Sequence, residues 1–186
     1  MDSDFVEDIR EIRRRAREHI ERGAVTDGYT ADRESVIELL NHALATEIVC
    51  VLRYRHDSHM AVGIHGEPVA REFREHAVEE QGHADRIAAR IAQLGGDPNF
   101  DPEGLTSRSH SEYVAAPSLL DMIRENLIAE RVAIDSYNGM IRYLGDSDPT
   151  TRRMLEDILA NEEEHAQELS DLLAALDPAE KHAGSK

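Results

Sequence analysis

Two short strings, Glu80-Gln81-Gly82-His83 and Glu162-Glu163-Glu164-His165, limit what this chain can fold into more than any other feature. In each, a carboxylate and an imidazole stand at i and i+3, which on an α-helix puts both on one face, close enough to hold the same ion. Each string also has a glutamate upstream at nearly the same distance: Glu47 lies 33 residues before Glu80, and Glu130 lies 32 before Glu162. The chain therefore reads as two copies of one unit, a Glu helix followed by a Glu-x-x-His helix.

The apolar pattern agrees. A helix over 31–62 carries the stripe Val36, Leu40, Ala43, Glu47, Cys50, Tyr54, a heptad seam with a glutamate inside it. Gly63 and Gly66 end it, and Pro68 suits the first turn of a second helix over 67–94. That helix presents Val69, Phe73, His76, Glu80, His83, Ile87 and Leu94. Gly95-Gly96-Asp97-Pro98 stops it, and the irregular stretch from Asn99 to Ala116 fits a crossover along a bundle, with room for a short helical turn. Ser118 and Asp121 form a capping box for a third helix over 117–145, with the seam Leu120, Ile123, Leu127, Glu130, Ile134, Tyr137, Ile141, Leu144. Asp148-Pro149 opens a fourth over 149–176, with the seam Leu155, Ile158, Glu162, His165, Leu169, Leu172, Leu176. The expected organisation is an N-terminal amphipathic helix and linker (1–30), an all-α four-helix bundle (31–176) and a short polar tail (177–186).

In such a bundle the six residues Glu47, Glu80, His83, Glu130, Glu162 and His165 fall near the middle of helices about 42 Å long and can converge. Four carboxylates buried together without cations would each cost several kcal/mol or force proton uptake. Two divalent cations balance them. Carboxylates dominate, with one imidazole per metal and no thiolate, which suits iron or manganese over copper or a structural zinc. Composition is consistent with a helical metal-binding protein: 4% aromatic residues and no Trp disfavour a sheet with an aromatic core, and a net charge of −17 favours cations over nucleic acid. The single Cys50 excludes an internal disulfide framework and a Cys-x-x-Cys site. No apolar run of ~18 residues is expected to span a membrane, and the acidic start is unlike a signal peptide, so the expected location is cytoplasmic.

Residues 3–22 are expected to form one helix, capped by Asp2 or Ser3 and stopped by Gly23, with the stripe Phe5, Ile9, Ile12, Ala16, Ile20 docking on the bundle or on a neighbouring subunit. Arg10, Arg13, Arg14, Arg15 and Arg17 line its other faces. Interleaved Glu11, Glu18 and Glu21 favour a solvated or interface surface over a DNA-contacting arm. Only two lysines, Lys181 and Lys186, occur in the chain.

Three strings resemble bacterioferritins: Asn41-His42-Ala43-Leu44-Ala45-Thr46-Glu47 with Tyr54, Glu80-Gln81-Gly82-His83-Ala84-Asp85-Arg86, and the exit Leu94-Gly95-Gly96-Asp97-Pro98. The similarity covers residues 34 to 176. It implies a ferritin-like four-helix bundle with a long crossover, a hollow shell of identical subunits, and a ferroxidase centre in each. That centre would hold two iron ions, or manganese or zinc in their place, with Glu80 and Glu162 bridging, Glu47 and His83 on one ion, and Glu130 and His165 on the other. Tyr54 matches a tyrosine that the family places beside the ligands. The substrates implied are Fe(II) and O₂ or H₂O₂. Gln81 stands where bacterioferritins have their haem-ligating methionine, which argues against haem. The family's fifth helix is missing and an extra N-terminal helix is present, which favours a twelve-subunit, Dps-like shell over one of twenty-four. Relatives known as thioferritins carry a cysteine pair near the site, and Cys50 alone does not supply it.

Around the six residues, Glu79 and Asn161 each precede a Glu-x-x-His glutamate, a place from which each would either accept the second N–H of a histidine across the bundle or equally face solvent. His76, one turn before Glu80, reads as a satisfied core histidine in preference to a third iron ligand. Tyr137 mirrors Tyr54 and reads as a packed tyrosine in preference to a radical or hydrogen-bonding partner. Glu163 and Glu164 are expected in solvent, and Cys50 in the packing. Two other functions remain open: a Dps-type DNA-protection protein, or a di-iron oxidase or peroxidase of the rubrerythrin type, which the missing Cys-x-x-Cys disfavours.

Overall fold

The computed structural model describes residues 9–176, so the expected caps Asp2 and Ser3, the start of the first stripe at Phe5, and the tail from 177 onward lie outside the described residues. Within that range the elements are α1 (Ile9–Arg15), a 3₁₀ turn (Ile20–Arg22), α2 (Arg33–Met60), α3 (Gly66–Gln93), α4 (Leu105–Arg108), α5 (Leu119–Leu144) and α6 (Pro149–Leu176). There is no strand among the described residues. The four long helices fall within two residues of the boundaries expected from periodicity and capping.

Short links make two hairpins, α2 with α3 and α5 with α6. Asn41 near the start of α2 bonds the exit of α3, through Nδ2 to Asp97 O (3.3 Å) and Oδ1 to Asn99 N–H (2.8 Å). Arg90 near the end of α3 donates to Asp148 (2.9 and 3.0 Å) and Thr151 (2.8 Å) at the start of α6. The two helices of each hairpin are therefore antiparallel, as are α3 and α6, and the 94–118 crossover carries the chain back along α2 with α4 inside it. His110 N–H donates to Thr46 Oγ1 (2.9 Å) and buried Arg53 donates to Glu112 O (2.8 Å) and to the Glu125 carbonyl, which pins the crossover and α5 to α2.

Local chemistry sets the ends. At the close of α3, Gly95 takes φ +79°, Gly95 N–H reaches Ala92 O and Gly96 N–H reaches Ile91 O, both at 2.9 Å, a Schellman exit that a residue with a side chain would resist. A Cβ on Gly96 would lie 2.7 Å from Ile37 Cγ2, so the exit also brings α3 hard against α2. Ser118 Oγ accepts from Asp121 N–H (3.2 Å), the N-cap half of a capping box, and donates to the Asp121 carboxylate (2.6 Å). Asp148 caps α6 by accepting from Thr151 N–H (2.9 Å) and Thr151 Oγ1 (2.6 Å), while Tyr29 OH of the linker donates to the same oxygen as the Thr151 hydroxyl (2.9 Å).

Packing divides the bundle into two apolar clusters. One contains Leu40, Leu44, Ile87, Ile91, Leu144 and Leu155, the other Val69, Phe73, Met122, Ile123, Leu169 and Leu173. Glu47, Glu80, His83, Glu130, Glu162 and His165 belong to neither, and fall between them in each helix.

Three expectations need correction. The first helix does not run to Gly23: α1 ends at Arg15, His19 takes a left-handed φ of 51°, and Ile20–Arg22 forms a separate 3₁₀ turn. Among the described residues its stripe stays largely open, with Ile9 55%, Ile12 40% and Ile20 76% exposed, and a sparsely packed helix crowded with arginines has little to sustain it. The α5 seam is rotated, because Leu120, Leu127, Ile134 and Ile141 are only half-buried while Asn126, Ala129, Ala133 and Met140 face inward with Ile123, Glu130, Tyr137 and Leu144. Near the end of α6, Leu173 is buried and Leu172 lies at the edge. By length and composition a segment of α2 is apolar enough to cross a membrane, but more than half of that segment is buried inside the bundle.

Asp148 combines a helix cap with a largely buried partner for Arg90, whose side chain is 10% exposed. Asp148→Ala is expected to cost roughly 3 kcal/mol in denaturant unfolding, since it leaves that guanidinium unpaired and α6 uncapped. A loss under about 1 kcal/mol would show that water satisfies both groups.

Candidate metal centre

Each long helix delivers its polar residues where one helical turn after another faces inward. Glu47 comes from α2, Glu80 and His83 from α3, Glu130 from α5, Glu162 and His165 from α6. All six are at most 4% exposed, which makes this one of the least hydrated parts of the molecule and an expensive place for carboxylates. The structure brings them together in two overlapping groups. Ligand atoms of Glu47, Glu80, His83 and Glu162 lie within 4.8 Å of one another, as do those of Glu80, Glu130, Glu162 and His165. Glu80 and Glu162 belong to both, so they stand between two four-residue pockets of three carboxylates and one imidazole.

The unsatisfied atoms define the centre. Glu47 Oε2, Glu80 Oε1, His83 Nδ1, Glu130 Oε2, Glu162 Oε1 and His165 Nδ1 are buried without a hydrogen-bond partner, one atom from each of the six residues. They are nevertheless close. His83 Nδ1 lies 3.0 Å from Glu162 Oε1, 3.3 Å from Glu47 Oε2 and 3.6 Å from Glu80 Oε2, and His165 Nδ1 lies 3.3 Å from Glu80 Oε1. Buried polar atoms normally find partners. Six orphans converging on one point are the geometry a pair of cations would satisfy, and the donor set of hard oxygens with two imidazoles fits such ions.

The remaining atoms of the same side chains are held from outside. Tyr137 OH donates to Glu47 Oε1 and Tyr54 OH to Glu130 Oε1, so each helix that contributes a lone glutamate is steadied by a tyrosine from the other. His165 Nε2 lies 2.6 Å from the Glu79 carboxylate and His83 Nε2 lies 3.4 Å from Asn161 Oδ1. With Nε2 engaged outward, both rings turn Nδ1 toward the carboxylates. Of the other residues singled out in the sequence, Cys50 is buried as a free thiol, Gln81 bonds Asp85 on its own helix (2.9 Å), and Glu163 and Glu164 are exposed.

His76 does more than fill the core. Its ring stacks on His165 with centroids 4.1 Å apart and meets Tyr54 edge-on, and its Nε2 lies 2.9 Å from Glu168 and 3.7 Å from Glu72. Neither Glu72 nor Glu168 was singled out in the sequence, though the i−4 spacing from His76 and the i+3 spacing from His165 were there to find.

Charge in the centre follows from burial. It pushes Glu80 up to about 8, assisted by repulsion from Glu47 and Glu130, and pushes Glu162 up to about 8, assisted by Glu80 and Glu47. Burial and the neighbouring Glu162 hold Glu130 well above the carboxylate range. Burial also opposes ionisation of Glu47, but the adjacent His83 outweighs it and lowers that carboxyl. For His165, burial favours the neutral ring, yet the adjacent Glu80 and the charge of Glu130 raise it to about 9, and His83 is raised in the same way by Glu162, Glu47 and Glu80. His76 moves the other way, down to about 3, through burial and the adjacent His165.

A match to the ferritin-like domain model covers residues 37–178, well over half of the chain, so the protein belongs to the ferritin-like family. The chain is 33% identical to the dodecameric thioferritin, a bacterioferritin-related protein, of Bacteroides fragilis, with a TM-score of 0.77 covering 84% of this chain and 94% of that one. It is 28% identical over 145 residues to a DNA protection during starvation protein from Pyrococcus furiosus, covering 76% of this chain and 78% of that protein. It is 28% identical over 140 residues to the bacterioferritin of Desulfovibrio desulfuricans, covering 74% of each.

Protonation of the centre gives a pH test. Glu80, Glu162 and His165 bind protons more tightly in the folded chain than in the unfolded one, where their ordinary values are 4.5, 4.5 and 6.5. Their contribution to stability is therefore full at low pH and is lost as pH rises through about 8 to 9. Chelator-treated protein should melt at progressively lower temperature between about pH 6 and pH 9, and Mn(II) should abolish the slope. A melting temperature that rises over that range in the metal-free protein would contradict the assignment.

Proposed function

We propose that this protein is a ferroxidase of the iron-storage and detoxification kind, binding two Fe(II) ions per chain at Glu47, Glu80, His83, Glu130, Glu162 and His165. The observation behind this reading is the set of six converging buried atoms without hydrogen-bond partners, two four-residue pockets sharing Glu80 and Glu162. Bound there, a pair of iron ions supplies two electrons to one oxidant molecule, which a lone ion cannot. With peroxide the balance is 2 Fe(II) + H₂O₂ + 2 H⁺ giving 2 Fe(III) + 2 H₂O; with oxygen the reduced product is H₂O₂. Both reactions consume protons, and Glu80, Glu162 and Glu130 must release theirs when Fe(II) enters, so the protons needed are displaced next to where they are used.

The chain's own groups do the positioning. Tyr137 and Tyr54 fix the lone glutamates, Glu79 and Asn161 fix the two rings, and the flanking apolar clusters keep bulk water from the carboxylates. The excess of carboxylates over the whole chain, 38 Asp and Glu against 21 Lys and Arg, favours inward flow of Fe(II) and disfavours anionic partners. In this reading twelve chains close a cytoplasmic shell that holds the oxidised product, supported by the dodecameric relative from Bacteroides fragilis.

DNA protection is the second reading, favoured by the name of the Pyrococcus furiosus relative. Among the described arginines of the first segment, Arg14 is paired with Glu11 and Glu18, which leaves less positive charge for phosphates than the sequence suggests. Iron oxidation is therefore the primary reading.

Stopped-flow absorbance after mixing Fe(II) with oxidant tests it. Glu80→Ala or His83→Ala is expected to abolish the fast phase, and Asn161→Ala to slow it by on the order of tenfold through a misaligned ring. Wild-type rates in Glu80→Ala or His83→Ala would refute the assignment.

A further inference from the structure

The crossover brings two histidines together on the α2–α5 side of the bundle. His42 stands on α2, and His110 of the crossover is fixed beside it, because the His110 N–H donates to Thr46 Oγ1 (2.9 Å) one turn further along α2. The two rings stack with centroids 5.8 Å apart and planes inclined by 30°. Glu38 precedes His42 by four residues and shares its face of α2. All three line one open cavity of about 450 Å³ between α2, the crossover and α5, with Leu39 and Met140 as its apolar wall.

The fold makes no polar use of these side chains. Among the described residues no hydrogen bond or ion pair engages the Glu38 carboxylate or either ring, and no lysine or arginine lines the cavity. The stack also differs from the one inside the bundle, where the His76 and His165 centroids are 4.1 Å apart; at 5.8 Å a gap remains between the rings. An ion bonded to two imidazole nitrogens at about 2.1 Å and a tetrahedral angle holds the ring centroids about 5 to 6 Å apart. The separation of His42 and His110 is therefore that of two ligands of one ion, and rings without hydrogen bonds are free to turn a nitrogen into the gap. Partial burial and the neighbouring His42 lower the proton affinity of His110, so its ring is neutral at pH 7, the state that binds metal. Two imidazoles to one carboxylate reverse the donor balance of the six-residue centre and suit zinc better than Fe(II) or Mn(II).

We propose that Glu38, His42 and His110 bind one Zn(II) ion, with water as the fourth ligand, and that this ion clamps the crossover onto α2. His42 lies five residues before Glu47, about 140° round the helix, so the site opens on a different side of α2 from the paired centre. Glu38 and His42 belong to α2 and His110 to the crossover, and the ion adds a side-chain link to the backbone hydrogen bond that His110 makes there. The site does not depend on the ferroxidase reading.

Crystals of the full chain soaked in Zn(II) and measured on both sides of the zinc absorption edge test the site, with equilibrium dialysis at micromolar Zn(II) as the count in solution. The expected peak lies between the His42 and His110 rings. One zinc per chain should be lost in His42→Ala and in His110→Ala, and Glu38→Gln should weaken its binding at least tenfold, the smallest loss that even a supporting residue of a metal site causes. Circular dichroism reports that each variant is folded. No peak between the rings, a peak at millimolar zinc alone (an adventitious ion only), an unchanged count in the histidine variants or undiminished affinity in Glu38→Gln would overturn the site, whatever the six-residue centre holds. The clamp is read by hydrogen exchange over residues 105–114. Zinc at about ten times its dissociation constant should slow that exchange about tenfold in the wild type and leave it unslowed in His42→Ala. Equal protection in the two proteins, or none in the wild type, would overturn the clamp.

Discussion

Burying four carboxylates in one dry layer is the constraint on which the rest of this structure depends. Left alone, the layer takes up protons: Glu80 and Glu162 rise to about 8, and the two imidazoles become cations to compensate their neighbours. That arrangement leaves one atom of each residue without a partner. A protein gains nothing in stability from such a layer compared with leucines in the same place. Its persistence in the middle of an otherwise conventional core accords with the proposed metal binding, since two divalent ions would meet the charge and the geometry at once.

The surrounding architecture can be understood as support for that layer. Two apolar clusters lie on either side of it and keep it from opening to water along the bundle axis. The repeated hairpin places equivalent groups in equivalent positions, so that Tyr54 of the first unit holds Glu130 of the second and Tyr137 of the second holds Glu47 of the first. Outside this reciprocity the two halves differ. His165 rests on a carboxylate and on the His76 ring, whereas His83 has an amide at 3.4 Å, so the two pockets have unequal imidazoles and unequal access to solvent. The cavity bounded by Glu72, Glu168 and their neighbours lies on the His165 side.

Much of this was legible in the sequence because the signals were local and periodic. The Glu-x-x-His strings needed only the pitch of a helix to place both ligand types on one face, and Gly95-Gly96 and Ser118/Asp121 marked helix ends that the structure uses in the expected way. What periodicity could not fix was rotation. On α5 the buried face turned toward Asn126 and Ala133 because Arg53 and Asp57 of α2 draw Asn126 inward through hydrogen bonds of 3.1 and 2.8 Å, an interaction between residues about seventy positions apart. The first helix was overextended for a related reason: an amphipathic stripe says that a partner is wanted, not that the same chain provides one. Glu72 and Glu168 went unnoticed since each looks like one more solvated glutamate until the fold sets both against His76.

X-ray absorption at the iron edge, on protein loaded anaerobically with two Fe(II) per chain, tests the central assignment most directly. Paired binding at the shared carboxylates predicts iron–iron scattering at roughly 3.5–4 Å, together with oxygen ligands and about one imidazole per iron, all lost in Glu80→Ala. Iron surrounded only by oxygen, with no second metal in range and no change in that variant, would place the ions on the acidic surface and contradict the account.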